Sequence, residues 1–222
     1  MTGNAAVART LAMTSSPTPN PALPTGYSPL PPGMLANVVT FLEMTEAPPP
    51  RATPAQGQEV GLAVRRWAAP PLDAYRALFR AVGQEWMWVS RLLMPDGRLR
   101  AALDDPAVEV YALAGPGGRQ LGLIELDFRT SGECELVYFG VVPEAIGSGA
   151  GRLMMREAIR QAWCRPIRRF WVHTCTFDHP GAVAFYVRSG FRPYQRQVEV
   201  HEDPRLTGKM PREAAPHIPI IE

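Results

Sequence analysis

Lysine is almost missing from this chain of 222 residues. Lys209 is the only one, and the rest of the 23 lysine and arginine residues are arginine. Arginine suits fixed, planar contacts better than loose solvated charge. No dense basic block occurs and the net charge is only +2, so composition carries no footprint of nucleic-acid binding. Cysteine is scarce too. Cys134, Cys164 and Cys175 are odd in number and widely spaced, which argues against a disulfide framework or a zinc motif and for a reducing, cytoplasmic setting. No apolar run approaches the roughly 18 to 20 residues of a membrane span. The first twenty residues also lack the apolar centre of a secretory signal.

What is abundant is proline, and its placement divides the chain. Eleven of the 24 prolines precede Gly57. Residues 1–30 are expected to be a disordered leader. Residues 31–58 are expected to be extended, with one exception, LANVVTFLEM from Leu35 to Met44. That stretch is β-branched and apolar, so it is expected to be a short strand or a docking segment on the main body. EAPPPRATPAQGQE then reads as a linker. Residues 59–205 carry globular patterning, and 206–222 read as an irregular tail.

Within the globular part, VGLAVRRW alternates as a strand does. LDAYRALFRAVG places Leu72, Tyr75, Leu78, Phe79 and Val82 at helical spacing. WMWVSRLL and GRLRAALDD predict one or two short helices. VEVYALAG and QLGLIELDF, joined by GPGGR, predict a β-hairpin. ECELVYFGVV is longer and more apolar, as a central strand is. A helix to Trp163, the strand FWVHTCTF, the helix GAVAFYVRSG capped by Gly190, and the strand FRPYQRQVEVHED follow. This order implies an α/β (α+β) fold: a mixed, mostly antiparallel sheet of six to seven strands flanked by helices.

The stretch VVPEAIGSGAGRLMMREAI places Gly147, Gly149 and Gly151 directly before a helix. Glycine weakens helices, so its use there needs a reason. One reason is a plain flexible turn. The other is anion binding: a helix start offers unpaired N–H groups and a positive dipole end, and glycine lets a phosphate approach the backbone. The stretch lacks the Gly-Lys-Ser/Thr ending of a P-loop and the glycine spacing of the dinucleotide fingerprint.

V-x-P at Val141–Pro143, then G-x-G-x-G, then A-V-A-F-Y-V-R-S-G-F from Ala182 to Phe191, with a helix and a strand between, resembles the Gcn5-related N-acetyltransferase superfamily. The resemblance spans about Val60 to Asp203. It implies acetyl-CoA as cofactor, a sheet that opens like a V, and a pyrophosphate held by loop amides. On this chain the cofactor residues would be Val141, Val142, Ile146, Gly147, Ser148, Gly149, Ala150, Gly151 and Arg152, with His179 near a position where relatives carry Asn. Ile146 and Glu144 depart from the basic or amide residues often found there, so a side-chain contact to phosphate is in doubt. Arg152, Arg156 and Arg160 form one helical line, which a solvated face also explains.

The resemblance makes Tyr186 the candidate acid that protonates the leaving thiolate; a core aromatic is the structural alternative. Glu133 and Glu135 share a strand face, and the family's strand start matches Cys134-Glu135-Leu136, so Glu135 is the candidate base. A rim glutamate is its alternative. Glu125 and Asp127 are candidate contacts for a cationic substrate, and His173 and Trp88 are candidate walls of the acceptor cleft, unless Trp88 is plain core. Asp178 and His179 are also candidate helix caps. Cys175 with His173 suggests a nucleophile pair or a metal site only weakly, because no further ligands are suitably spaced. The expectation is an N-acetyltransferase acting on a small-molecule or peptide amine, as monomer or homodimer, with no metal, nucleic-acid or membrane partner. A non-catalytic acyl-CoA-binding module of the same fold is the alternative.

Overall fold

A computed structural model describes residues 23–49 and 61–222. Residues 1–22 of the expected leader and residues 50–58 of the expected linker lie outside the described residues. The elements follow the sequence pattern closely. After β1 (Met34–Met44) and β2 (Ala63–Arg66) comes α1 (Leu72–Gly83). Tyr75, Leu78, Phe79 and Val82 of α1 are all buried, the i, i+3, i+4, i+7 stripe of an amphipathic helix. Two short helices follow, α2 (Ser90–Leu93) and α3 (Asp96–Leu103). The hairpin β3 (Val108–Ala114) and β4 (Gln120–Asp127) turns through Gly117 and Gly118, whose φ values of 70° and 78° suit glycine. Then come β5 (Glu133–Val141), α4 (Ala150–Ala162), β6 (Arg169–Cys175), α5 (Ala182–Ser189) and β7 (Arg192–Glu202). Gly190 ends α5 in the left-handed conformation, as the sequence predicts.

The sheet has seven strands in the order β2-β3-β4-β5-β6-β1-β7. All neighbours are antiparallel except β5 and β6. The segment expected to dock on the body is an interior strand. β1 pairs with β6 on one side and β7 on the other, and its Leu42 and Met44 join the main core. Without β1, β7 has no strand beside it.

Directly paired residues share a side of the sheet. One side carries α1 and α2: Tyr75 and Arg91 reach Glu125 there, and Phe79 packs edge-on against Tyr138. The other carries α4 and α5: Met154 lies against Gly122, and Phe185 and Tyr186 lie against Phe139. After Glu202 the described chain has no helix or strand, yet it is packed. Met210, Ala214, Ala215 and Ile218 form a second apolar cluster with Leu35, Met87 and Phe177. Arg205 ties that tail down: its guanidinium grips Asp203 and donates to the carbonyls of Ala214, Ala215 and Ile218.

Candidate functional site

The pairing of β5 with β6 covers only Glu133↔Arg169, Cys134↔Phe170 and Glu135↔Trp171. Beyond Glu135 the two parallel strands part and leave a slot. Val142 N–H is engaged by Leu121 O at 2.9 Å. By the alternation of an antiparallel ladder, the N–H groups of Val141 and Phe139 then point away from β4, into the slot. Val142 itself is buried, so of the two valines only Val141 presents its amide.

At the open end of the slot lies the glycine loop. A 3-10 turn at Pro143–Ala145 leads to Gly147 and Gly149, with φ of 82° and 91°, and α4 begins at Ala150. Ala150 N–H goes to Ser148 Oγ at 3.3 Å and Arg152 N–H to Gly149 O at 3.0 Å. Ile146 N–H goes to Pro143 O. Among the described residues no acceptor is recorded for the N–H of Gly147, Gly149 or Gly151. The glycines therefore hold the unpaired donors at the positive end of α4. A Cβ on Gly147 would meet no protein atom within 4 Å, so open space lies beside that backbone. This geometry fits a diphosphate. Glu144 is ionised, its pKa held down by a backbone hydrogen bond and then by Arg119, but Arg119 offsets its charge as an ion-pair partner. Ile146 is exposed and offers no polar contact, whereas Arg152 is exposed in the first turn of α4.

Glu135 sits where the slot opens, on the α1 side, with its side chain 23% exposed. Its pKa is pushed up to about 7, first by burial and then by the carboxylates of Asp127 and Glu125, with Arg91 and Arg129 pulling it down. A carboxylate poised near neutrality is suited to accept a proton. His173 Nε2 lies 3.8 Å from Glu135 Oε1, and partial burial lowers its pKa.

Glu125 and Asp127, the expected contacts for a substrate cation, both have arginine partners within the protein. Glu125 is 1% exposed, and its two oxygens accept from Arg91 and from the Tyr75 hydroxyl. Asp127 faces Glu135 across the ladder and is chelated by Arg129. Both act on Glu135 through their charge. Arg91 stacks over the Tyr138 ring at 5.1 Å, and Ser90 bonds the Tyr138 hydroxyl. Strict alternation would put Tyr138 on the face opposite Glu135. The β4–β5 register shift between Glu125 and Leu126 leaves Val137 unopposed, and this bulge turns both Glu135 and Tyr138 to the α1 side. No glycine or proline marks it, so the sequence gives no sign of it.

Tyr186 lies on the other side of the sheet, across the slot from Glu135. It is 7% exposed, surrounded by Phe139, Phe185 and Phe191, and burial, then Asp178, raise its pKa well above that of a free phenol. It stays protonated at neutral pH. Trp88 closes the α1 side of the slot. Its ring approaches Gly140, where a Cβ would fall 2.5 Å from Val82 and 3.3 Å from the indole. Its N–H donates to Asp178 Oδ1 at 3.1 Å. Asp178 Oδ2 accepts from Thr174 Oγ1 and from Cys175 N–H, so this aspartate locks the β6–α5 corner. His179 Nδ1 accepts Gly181 N–H at 3.0 Å. That bond ties His179 to the corner that leads into α5. The Cys175 thiol is pushed up to about 12 by burial and is a poor nucleophile. No group of three potential metal ligands occurs among the described residues, and no described helix is long and apolar enough to cross a membrane.

The profile of the Acetyltransferase (GNAT) family matches residues 72–191. Several solved structures share the fold. A GCN5-related N-acetyltransferase from Sphaerobacter thermophilus aligns with a TM-score of 0.56 at 21% identity, covering 75% of this chain and 52% of that one. A functionally unknown conserved protein from Staphylococcus epidermidis aligns with a TM-score of 0.54 at 14% identity, over 77% of this chain and 64% of that one. A putative acetyltransferase of the GNAT family from Novosphingobium aromaticivorans gives 0.53 at 16%, over 79% and 71%. This chain thus spans less than two thirds of the first two. No curated protein matches its sequence.

Proposed function

This chain belongs to the Acetyltransferase (GNAT) family, and on that premise we propose that it transfers an acetyl group from acetyl-CoA to a primary amine. The observation that carries the proposal is the slot itself. Three unpaired glycine amides stand at its mouth, a carboxylate with a pKa of about 7 at one wall, and a protonated phenol at the other.

In this reading the Gly147, Gly149 and Gly151 amides hold the diphosphate, and Arg152 adds charge beside it. Phe139 and Val141 offer slot-facing N–H groups to the polar groups of the extended arm and to the thioester oxygen. Acetyl-CoA supplies the activated acyl group. Glu135 takes a proton from the acceptor ammonium so that its nitrogen lone pair is free to attack. Tyr186 gives its proton to the leaving sulfur and regains one from solvent. The N–C bond forms as the C–S bond breaks. The ammonium nitrogen gives up two protons in all, one appearing on the free thiol and one in solvent. Asp127 and Glu125 keep Glu135 basic, and Trp88 shields the slot from water on the α1 side.

The test is to measure thiol release and acetyl-CoA affinity in Glu135→Gln and Tyr186→Phe. Each is expected to lower kcat by about 100-fold and to change acetyl-CoA affinity less than threefold. Unaltered turnover in both would refute the assigned roles. Binding without turnover in the wild type, across a broad amine panel, would instead favour a non-catalytic acyl-CoA-binding module.

A further inference from the structure

On the α1 side, helices cover only the β3–β5 part of the sheet. Among the described residues no helix covers the face of β6, β1 and β7 next to Glu135; the C-terminal tail packs over its Leu35 end, and the Phe41 end stays open. An uncovered antiparallel face is normally polar. Here four rings gather instead. Phe41 lies 6.4 Å from Trp171, 5.7 Å from His173 and 6.1 Å from Tyr194, measured between ring centres. None of the four is buried: the His173 side chain is 36% exposed and Tyr194 43%. Alternation makes this specific. Leu42 beside Phe41, and Phe170 and Val172 flanking Trp171, all point into the core, so Phe41 and Trp171 are the outward members of their strands.

The charges around the rings have one sign in excess. Arg169 stacks over Tyr194 at 4.8 Å and over Trp171 at 5.7 Å, and it is held by two carboxylates, Glu43 at 2.7 Å and Glu133 at 3.3 Å. Arg192, opposite Glu43 in the ladder, lies on the same face, as does Glu199 near His173, so Glu43, Glu133, Glu199 and ionised Glu135 outnumber the two arginines. An anionic ligand is disfavoured there and a cation favoured. His173 joins the two features, because its ring belongs to the cluster while its Nε2 is 3.8 Å from Glu135 Oε1.

We propose that this ring cluster is the acceptor subsite and that it selects a primary amine carried on a flat aromatic body. The ring of the acceptor stacks on Phe41 and Trp171, and its ammonium points past His173 to Glu135. An aromatic ring in offset or edge contact with another gains more than the area it buries, a gain a saturated ring of similar size lacks, and the surplus of carboxylates draws the ammonium. The proposal deepens the acetyltransferase reading and rests on it for turnover, but it concerns a binding surface that is measurable without turnover.

The probes are 2-phenylethylamine and its saturated counterpart 2-cyclohexylethylamine, with wild type and Trp171→Leu. Wild type is expected to give a KM for the phenyl amine about tenfold lower than for the cyclohexyl amine. Trp171→Leu is expected to raise the phenyl KM about tenfold and erase that preference, with a smaller change in kcat and with acetyl-CoA affinity retained. Tyr194→Leu, on the exposed edge strand, is the second variant should Trp171→Leu fail to fold. Equal KM values for the two amines in the wild type, or a preference that survives both variants, would overturn the proposal. If no amine is acetylated, binding of the phenyl amine is measured by ligand-observed NMR. Binding lost in Trp171→Leu then upholds the subsite while the catalytic reading falls, and no binding to wild type overturns the subsite as well.

Discussion

Glu135 is the proposed base, and its surroundings give it a measurable signature. Its pKa is raised from 4.5 to about 7. A raised carboxylate binds its proton in the folded state where the unfolded chain has already lost it. Stability therefore falls as pH rises from about 4.5 to about 7, and the full cost is present above that window. At about 1.36 kcal/mol per unit the cost is about 3 to 4 kcal/mol. Glu135→Gln removes it. The variant is expected to match wild type in thermal stability near pH 4.5 and to exceed it at pH 8, as two melting series would report. If Glu135 is the base, wild-type kcat/KM is expected to rise with pH through about 7, and that limb is expected to vanish in the variant. Glu135 was legible as a strand-face carboxylate. The pairing of Glu125 and Asp127 within the protein was not, because their partners Arg91, Tyr75 and Arg129 come from other elements or from beyond the strand end.

Among the elements, those with strong local patterns were the readable ones. The α1 stripe, the GPGGR hairpin and the Gly190 cap each rest on chemistry within a few residues. The glycine loop was readable for the same reason, although which amides stay unpaired depends on the Ser148 hydroxyl and the Gly149 carbonyl. β1 was recognisable as a strand but not as an interior one, since its partners lie more than 120 residues away in sequence. The tail was misleading in its polarity. Arg205 and Asp203 are each 1% exposed, and Arg205 satisfies three tail carbonyls that no helix or strand would otherwise engage. Removing one partner of a buried pair leaves the other charge uncompensated. Arg205→Ala is expected to destabilise the protein by about 3 kcal/mol and to open residues 204–222 to proteolysis before the sheet unfolds. A melting temperature within about 1 °C of wild type would contradict the anchoring role.

For the molecule as a whole, the proposed function depends on where the sheet fails to close. A continuous β5–β6 ladder would leave no slot, and a fully helix-covered α1 side would leave no acceptor face. The order of elements in the sequence announced the sheet, but neither the point where pairing stops after Glu135 nor the bulge at Val137 is written in residue types. The slot and the amide cradle must work together if acetyl-CoA binds here. The most direct test is calorimetric titration with acetyl-CoA of wild type, Gly147→Asn and Gly147→Asp. Asn and Asp tolerate the left-handed backbone about equally, and the space beside Gly147 is open, so the pair differs chiefly in one negative charge. Wild type is expected to bind in the micromolar range, Gly147→Asn somewhat more weakly, and Gly147→Asp at least tenfold more weakly than Gly147→Asn, with both variants folded. No binding to wild type, or equal affinities for the two variants, would contradict the claim that these glycine amides hold the cofactor's diphosphate.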